Sequence, residues 1–187
     1  MEVEVPRRTG RTVLRLLTAT DVDDVLAYRS RADVCRFLTF EPMDREGVEG
    51  FVEEWGRDAT IDADHGGIVL GVEHEGRVVG DLKLGVGRLV DAQGEIGWVF
   101  HPGVAGRGLA TESATSLVEA AFDELHLHRV WAQLDPRNAA SAQLCGRLGM
   151  RQEAHLRDES WFKGEWGDLA IYGLLRPEWD ARREVWT

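Results

Sequence analysis

The stretch from Glu95 to Leu125 limits the folds open to this chain more than any other. EIGWVFHP (95–102) is an apolar run of strand length closed by a proline, and GVAGRGLA (103–110) is broken by glycines. In TESATSLVEAAFDEL (111–125), Ala114, Leu117, Val118, Ala121, Phe122 and Leu125 share one continuous helical stripe. A helix over 109–125 extends ~25 Å, enough to cross a sheet. RVWAQLD (129–135) places Val130, Ala132 and Leu134 on one strand face, so 95–134 reads as a parallel strand–helix–strand crossover. A helix entered from a glycine loop offers unpaired N–H groups and partial positive charge. Glycine also lets a ligand approach the backbone closely. The feature is an anion site, most often one for phosphate.

The flanking segments complete a mixed α/β chain. RTVLRLL (11–17) reads as a strand, and Thr18 with Asp21 has capping-box spacing ahead of Val22, Val25 and Leu26. That helix is expected to end near Ser30 to Ala32, before an aromatic loop at 36–43. A second helix is expected over 44–57, with Val48, Phe51, Val52 and Trp55 on one side. After the polar loop TIDADHGG (60–67), two extended runs flank Glu75-Gly76, which is a hairpin signature. A turn at 91–94 leads into the strand at 95. A short helix over 138–148 with Gly149 as its stop precedes two strands near 151–162 and 168–175. The order is β-α-α-β-β-β-α-β-α-β-β, with no repeat or linker, and the expectation is a single domain over 1–187.

Composition excludes several function classes. The 33 Asp+Glu against 22 Lys+Arg give a net charge of −11, so nucleic acid is not sought by bulk electrostatics. The acidity reads as a soluble surface, while allowing a cationic substrate. No apolar run approaches membrane-spanning length. Cys35 and Cys145 form no metal motif and read as reduced thiols of a cytoplasmic protein, so neither metal nor membrane partner is expected. Two phosphate motifs also fall away. Arg107-Gly108-Leu109 does not supply the Gly-Lys-Ser/Thr of a P-loop, and a dinucleotide fingerprint read from Gly106 and Gly108 meets Thr111 where Gly or Ala is required.

Four separated stretches resemble the GNAT superfamily of acyl-coenzyme A-dependent N-acetyltransferases, and more closely its ribosomal-protein-alanine (Rim-type) branch: EIGWVFHP (95–102), GRGLATES (106–113), NAASAQLCGRLGM (138–150) and GDLAIYGLLRPEW (167–179). The resemblance implies a mixed, mostly antiparallel sheet of six to seven strands, splayed between 95–101 and 129–135 and flanked by helices. It also implies acetyl-CoA as co-substrate, its pantetheine arm between the splayed strands against the backbone of Trp98, Val99 and Phe100. The family's pyrophosphate loop falls on Ala105, Gly106, Arg107, Gly108, Leu109, Ala110 and Thr111. Ala105 stands where the family usually has Gln or Arg, which removes a side-chain contact and keeps the backbone donors. Arg107 reads either as a charge-assisted contact to the cofactor or as a solvated loop residue. The acceptor would sit by the loop 33–45 and the hairpin 160–168.

Acetyl transfer needs a neutral amine, a polarised thioester carbonyl and a proton for the departing thiolate. Glu95 occupies the family's usual glutamate position and is the candidate base, acting through water, against the reading of a surface residue at a strand start. His101 is a chemically attractive base, but His-Pro closing this strand reads as structural. The tyrosine acid that many family members place after the Asn helix start falls on Cys145, which reads as a buried residue. Ser141, one helical turn after Asn138, is the remaining hydroxyl for the thiolate, with helix capping as the competing reading. Asn138 is assigned to the pantetheine amides, against a turn role. Trp98 and Trp161 are candidate acceptor walls against core roles. Tyr172 and Asp168 match family positions and also suit core and turn. The reading is an acetyl-CoA-dependent N-acetyltransferase in which a primary amine, on a protein N-terminus or a small cationic molecule, attacks directly in a ternary complex. The alternative is a non-catalytic acyl-CoA sensor or scaffold on the same fold. A homodimer is left open. Asp33, Glu41, Asp44, Glu159 and Glu165 are the acidic residues on which a cationic acceptor would rest.

Overall fold

A computed structural model describes residues 1–61, 66–87 and 89–184. The middle of the polar loop expected at 60–67 lies outside the described residues. Two short segments, β1 (Arg7–Arg8) and β2 (Val13–Arg15), precede α1 (Val22–Arg29), α2 (Ala32–Cys35) and α3 (Arg45–Trp55). Then come β3 (Gly67–His74), β4 (Arg77–Gly85), β5 (Gln93–Phe100), α4 (Leu109–Asp123), β6 (Arg129–Leu134) and α5 (Ala139–Leu148). The chain closes with β7 (Arg151–Phe162), β8 (Glu165–Leu175) and α6 (Arg176–Glu184). The strands form one sheet in the order β1-β2-β3-β4-β5-β6-β8-β7, antiparallel except between β5 and β6. The mixed α/β architecture is the expected one. The eighth strand, beyond the expected six to seven, is the two-residue β1, too short for periodicity to register. Helices α2 and α6 were likewise not anticipated. No helix among the described residues is long and apolar enough to cross a membrane.

Local chemistry explains the main boundaries. The Thr18–Asp21 capping box forms as the spacing predicts, with Asp21 accepting from the Thr18 N–H. Asp44 caps α3 by accepting from the Gly47 N–H at 2.9 Å. Glu75 (φ 52°) and Gly76 (φ 76°) turn β3 into β4, and Lys163 (φ 49°) and Gly164 (φ 82°) repeat this two-residue, left-handed turn between β7 and β8. Gly149 (φ 88°) ends α5 in the left-handed region.

Strand alternation sends side chains into two cores. On one face Leu70, Leu82, Leu84, Ile96 and Val130 pack against Leu117, Val118, Ala121 and Phe122 of α4, and against Leu144 and Leu148 of α5. On the other, Val69, Val78 and Val99 meet Val22, Val25 and Tyr28 of α1 and Val48 and Val52 of α3. The second core also holds a charge pair. Arg29 and Asp81, both at least 95% buried, bond through Nε at 2.9 Å and Nη2 at 2.6 Å. The Tyr28 hydroxyl donates to Asp81 at 2.8 Å. The Arg29 guanidinium stacks on Phe51 and Phe40, 3.8 and 4.9 Å from their centroids. Burial would lower its pKa, but the facing Asp81 charge raises it overall. The Arg29 carbonyl accepts from Met43 N–H and from the Cys35 thiol, so this pair fixes both ends of the 33–45 loop.

Arg29→Met strands Asp81 with only the Tyr28 hydroxyl. The expected outcome is a loss of about 3–5 kcal/mol of unfolding free energy, read as a lower urea midpoint. Arg29→Met with Asp81→Leu recovers most of that loss.

Candidate functional site

The cofactor side is built where β5 and β6 part. Their parallel pairing holds for Gln93↔Arg129, Gly94↔Val130 and Glu95↔Trp131, and then ends. Both strands remain paired on their outer edges, β5 to β4 through Phe100 and β6 to β8 through Leu134. The splay expected between 95–101 and 129–135 is present. His101 N–H donates to the Val79 carbonyl on the β4 side. Backbone groups alternate along a strand, so those of Val99 face β4 and those of Trp98 and Phe100 face the gap.

A cleft of about 1280 Å³ passes through this gap. Trp98, Val99 and Phe100 line it from β5, and Ala105, Gly106, Gly108, Ala110 and Thr111 from the loop and the start of α4. Asn138 and Ser141 line it from α5. On the opposite face of the sheet Asp33, Val34 and Leu38 close it. Of the site residues expected from sequence, Glu95, Arg107 and Leu109 stand outside the lining. Leu109 is fully buried in the core. Arg107 turns away, its Nη2 2.9 Å from Nε2 of His74.

The loop is shaped to present donors. His101 Nδ1 accepts from Gly103 N–H at 2.9 Å and starts a helical turn over Pro102–Val104, which is the structural role expected of it. Gly106 (φ 74°) and Gly108 (φ 78°) then take left-handed dihedrals into α4. The backbone N–H groups of Gly106, Gly108, Leu109, Ala110 and Thr111 have no acceptor among the described residues. This is the donor set an anionic diphosphate requires. Arg147, from the last turn of α5, stands over them with Nε 2.9 Å from the Thr111 hydroxyl.

Across the gap, the Trp98 indole N–H donates to Ser141 Oγ at 3.0 Å. The hydroxyl, with one acceptor site filled, keeps its own proton for a further acceptor. The capping alternative for Ser141 does not hold, because Asn138 Oδ1 performs that cap by accepting from Ser141 N–H at 3.2 Å. Asn138 therefore has its amide NH₂ left for a ligand. Cys145 is fully buried, and burial pushes its thiol up to about 12, so it offers no thiolate at neutral pH. Burial raises the Cys35 thiol as well.

Glu95 stands at the last paired register of β5. Half-burial pulls its carboxyl above the ordinary glutamate range, opposed by a hydrogen bond from Gln133 and the charge of Lys83.

The acceptor side departs from expectation. No residue of the 160–168 hairpin lines the cleft. Trp161 is not a wall: it is 63% exposed and packs edge-on against Trp166. The hairpin acts instead through Lys163, whose Nζ donates to the Cys35 carbonyl (2.6 Å) and the Phe40 carbonyl (3.1 Å). Most of the acidic residues proposed to draw a cationic acceptor are engaged elsewhere. Asp44 caps α3, Glu165 pairs with Arg137, and Glu41 lies 3.8 Å from Lys163. Of the five, Asp33 alone lines the cleft, and Arg31 holds it bidentately at 2.9 Å. Asp168 binds His155 and the Asp158 N–H within the hairpin, and the Tyr172 hydroxyl donates to Gln152. Sequence reasoning did not single out Trp179, Arg182 and Arg183 of α6, which line the far end of the cleft. Pro177 near the start of that helix and arginines in its last turn were the available signals.

A strand, a left-handed glycine loop and a helix thus stand beside a splayed strand pair, the arrangement that the acyltransferase resemblance implies. The sequence agrees: residues 11–151 match the acetyltransferase (GNAT) domain, and the chain belongs to that family. It is 29% identical over 172 residues to the Bacillus subtilis uncharacterized N-acetyltransferase YnaD, covering 92% of this chain and 98% of that one. Over 78 residues, 42% of this chain and 40% of the relative, it is 32% identical to the [ribosomal protein uS5]-alanine N-acetyltransferase of Escherichia coli. A spermidine N-acetyltransferase from Vibrio cholerae, solved in complex with CoA and spermine, superposes with a TM-score of 0.77 at 18% identity, covering 91% of this chain and 98% of that one.

Because Glu95 binds its proton more tightly folded than unfolded, its contribution to stability falls as pH rises through the window between the two pKa values. Glu95→Gln is therefore expected to raise the melting temperature relative to the parent by more at about pH 8 than at about pH 4.

Proposed function

We propose that this protein, read as one N-acetyltransferase domain over 1–187, transfers an acetyl group from acetyl-CoA to a primary amine in a ternary complex. The observation that carries the reading is the Trp98–Ser141 hydrogen bond spanning the gap, with unpaired backbone donors on the loop beyond it. Acetyl-CoA supplies the activated acetyl group as its thioester. The N–H groups of Gly106 and of Gly108 to Thr111 hold the diphosphate, and the Asn138 amide and the gap-facing backbone of Trp98 and Phe100 hold the pantetheine arm. A backbone N–H on β5 stabilises charge developing on the thioester oxygen. Ser141, oriented by Trp98, gives its proton to the leaving thiolate and takes one back from solvent water. Glu95 takes the proton of the attacking amine through water, its carboxyl made more basic by half-burial.

For the acceptor we favour the α-amine of a polypeptide, in keeping with the Rim-type motifs and the uS5-alanine relative. A polyamine needs several free carboxylates along its length, and at the acceptor end of the cleft Asp33 stands with Arg31 already on it. An α-amine, with a pKa near ~8, is also partly neutral without a strong base. The proposed setting is the cytoplasm, and a homodimer is compatible with the reading.

Saturating acetyl-CoA is expected to raise the melting temperature; no shift removes the cofactor assignment. Ser141→Ala is expected to lower kcat by about 10²-fold, the usual scale for a general acid, with acetyl-CoA affinity within about twofold of the parent. Affinity lost together with kcat would make Ser141 a binding residue. Release of free thiol, followed with alanine-ending peptides and with spermidine, decides the acceptor class.

A further inference from the structure

Residues 9–12, ahead of β2, are remote in sequence from the cofactor loop and are stapled to it. Arg11 Nη1 donates to the Arg107 carbonyl at 2.9 Å. Arg11 Nε and its backbone N–H donate to the Glu112 carboxylate at 2.8 and 2.6 Å, and the Thr9 hydroxyl donates to the same group at 2.6 Å. His74 completes the arrangement. Its Nε2 lies 2.9 Å from Arg107 Nη2, and its Nδ1 lies 2.9 Å from the Arg11 carbonyl. A guanidinium only donates and a carbonyl only accepts. The imidazole must therefore be neutral, with its proton on Nδ1. Arg11 binds the Arg107 carbonyl, Arg107 binds His74, and His74 binds the Arg11 carbonyl, so three residues close a ring.

The ring has a direction. In a trans peptide the C=O and the following N–H point to opposite sides. With the Arg107 carbonyl pinned to Arg11, the Gly108 N–H is turned the other way. Gly108 lines the cleft, and its N–H has no acceptor among the described residues. At φ 78° a glycine peptide is free to rotate unless something restrains it. Arg11 also sets the local charge. Glu112 sits in the first turn of α4, lines the cleft, and would repel a bound diphosphate were Arg11 not against it.

We propose that the Arg11–His74–Arg107 ring presets the Gly108 amide as a donor to the diphosphate of the co-substrate. The inference rests on the acyl-CoA reading above. Arg11 and His74 are positioning residues here, since neither touches the thioester.

The test is calorimetric titration with dephospho-CoA, which keeps the diphosphate. A second assay follows turnover of S-acetylpantetheine, which has no diphosphate. Arg11→Ala is expected to weaken dephospho-CoA about 10-fold, the scale of one hydrogen bond to a charged group, and to leave S-acetylpantetheine turnover within about twofold. His74→Ala, which removes both the acceptor for Arg107 and the partner of the Arg11 carbonyl, is expected to weaken dephospho-CoA about 10-fold as well. His74→Gln, whose amide both accepts and donates, is expected to stay within about twofold of the parent. Unchanged dephospho-CoA affinity in Arg11→Ala, equal losses in both assays, or a loss in His74→Gln as large as in His74→Ala overturns the proposal. A parent that binds neither CoA nor dephospho-CoA overturns the acyl-CoA reading itself, an outcome distinct from these three.

Discussion

Beyond Glu95 and Trp131, two neighbouring strands of one sheet stop bonding to each other, and the rest of the site depends on that break. Backbone groups left without partners inside a protein are costly, which is why adjacent strands rarely separate. Here the cost is contained because each strand keeps its outer neighbour: β5 stays on β4 and β6 stays on β8. The facing edges are left as a row of unspent donors and acceptors. The segments that follow the two strands carry the remaining parts. The glycine loop and α4 follow β5, and the Asn138 cap and Ser141 follow β6, so one break in pairing brings both sets around the same gap.

The break also opens the sheet from one face to the other, and the two faces are secured differently. On the α4 side, apolar packing of the long helix across the sheet is sufficient. On the α1–α3 side, the loop that closes the cleft is fixed by a buried charge. Arg29 binds Asp81 with its guanidinium, stacks on two aromatic rings, and receives the loop on its carbonyl. A purely apolar residue at this position would fill the space without supplying the directional contacts that define where Val34 and Leu38 come to rest.

Much of this was legible in the chain. The period-two and helical patterns located the crossover, the hairpin at Glu75-Gly76 and the helix stop at Gly149, and the glycine loop announced an anion site. The motif at 138–150 located Ser141 and Asn138 on one helix face. What stayed hidden was long-range. Nothing in the residues of β5 marks the end of pairing at Glu95, because the strand continues unchanged against β4. Periodicity could not show that Arg107 turns to His74, since its partner lies 33 positions away. The acidic residues of the acceptor region looked available in the sequence because their cationic partners come from other segments, as with Glu165 and Arg137. The hairpin expected to form an acceptor wall was misplaced for the same reason: its register to β6 through β8 sets its reach, and a one-dimensional reading does not contain that register.

The Lys163 clamp separates two kinds of evolutionary freedom. The residues proposed to hold the co-substrate belong to a nearly contiguous block, 98–147, whose spacing is set by a strand, a helix and their loops. The loop that closes the opposite face is tethered to a distant hairpin tip by one flexible side chain whose two hydrogen bonds go to carbonyl groups, which every residue type provides. Side chains along 33–45 other than Cys35, Phe40 and Asp44, which bond to or pack on their surroundings, can therefore be exchanged without disturbing the machinery proposed to handle the thioester. A scaffold divided in this way is suited to gene duplication followed by divergence in what is modified, with the modifying chemistry inherited intact.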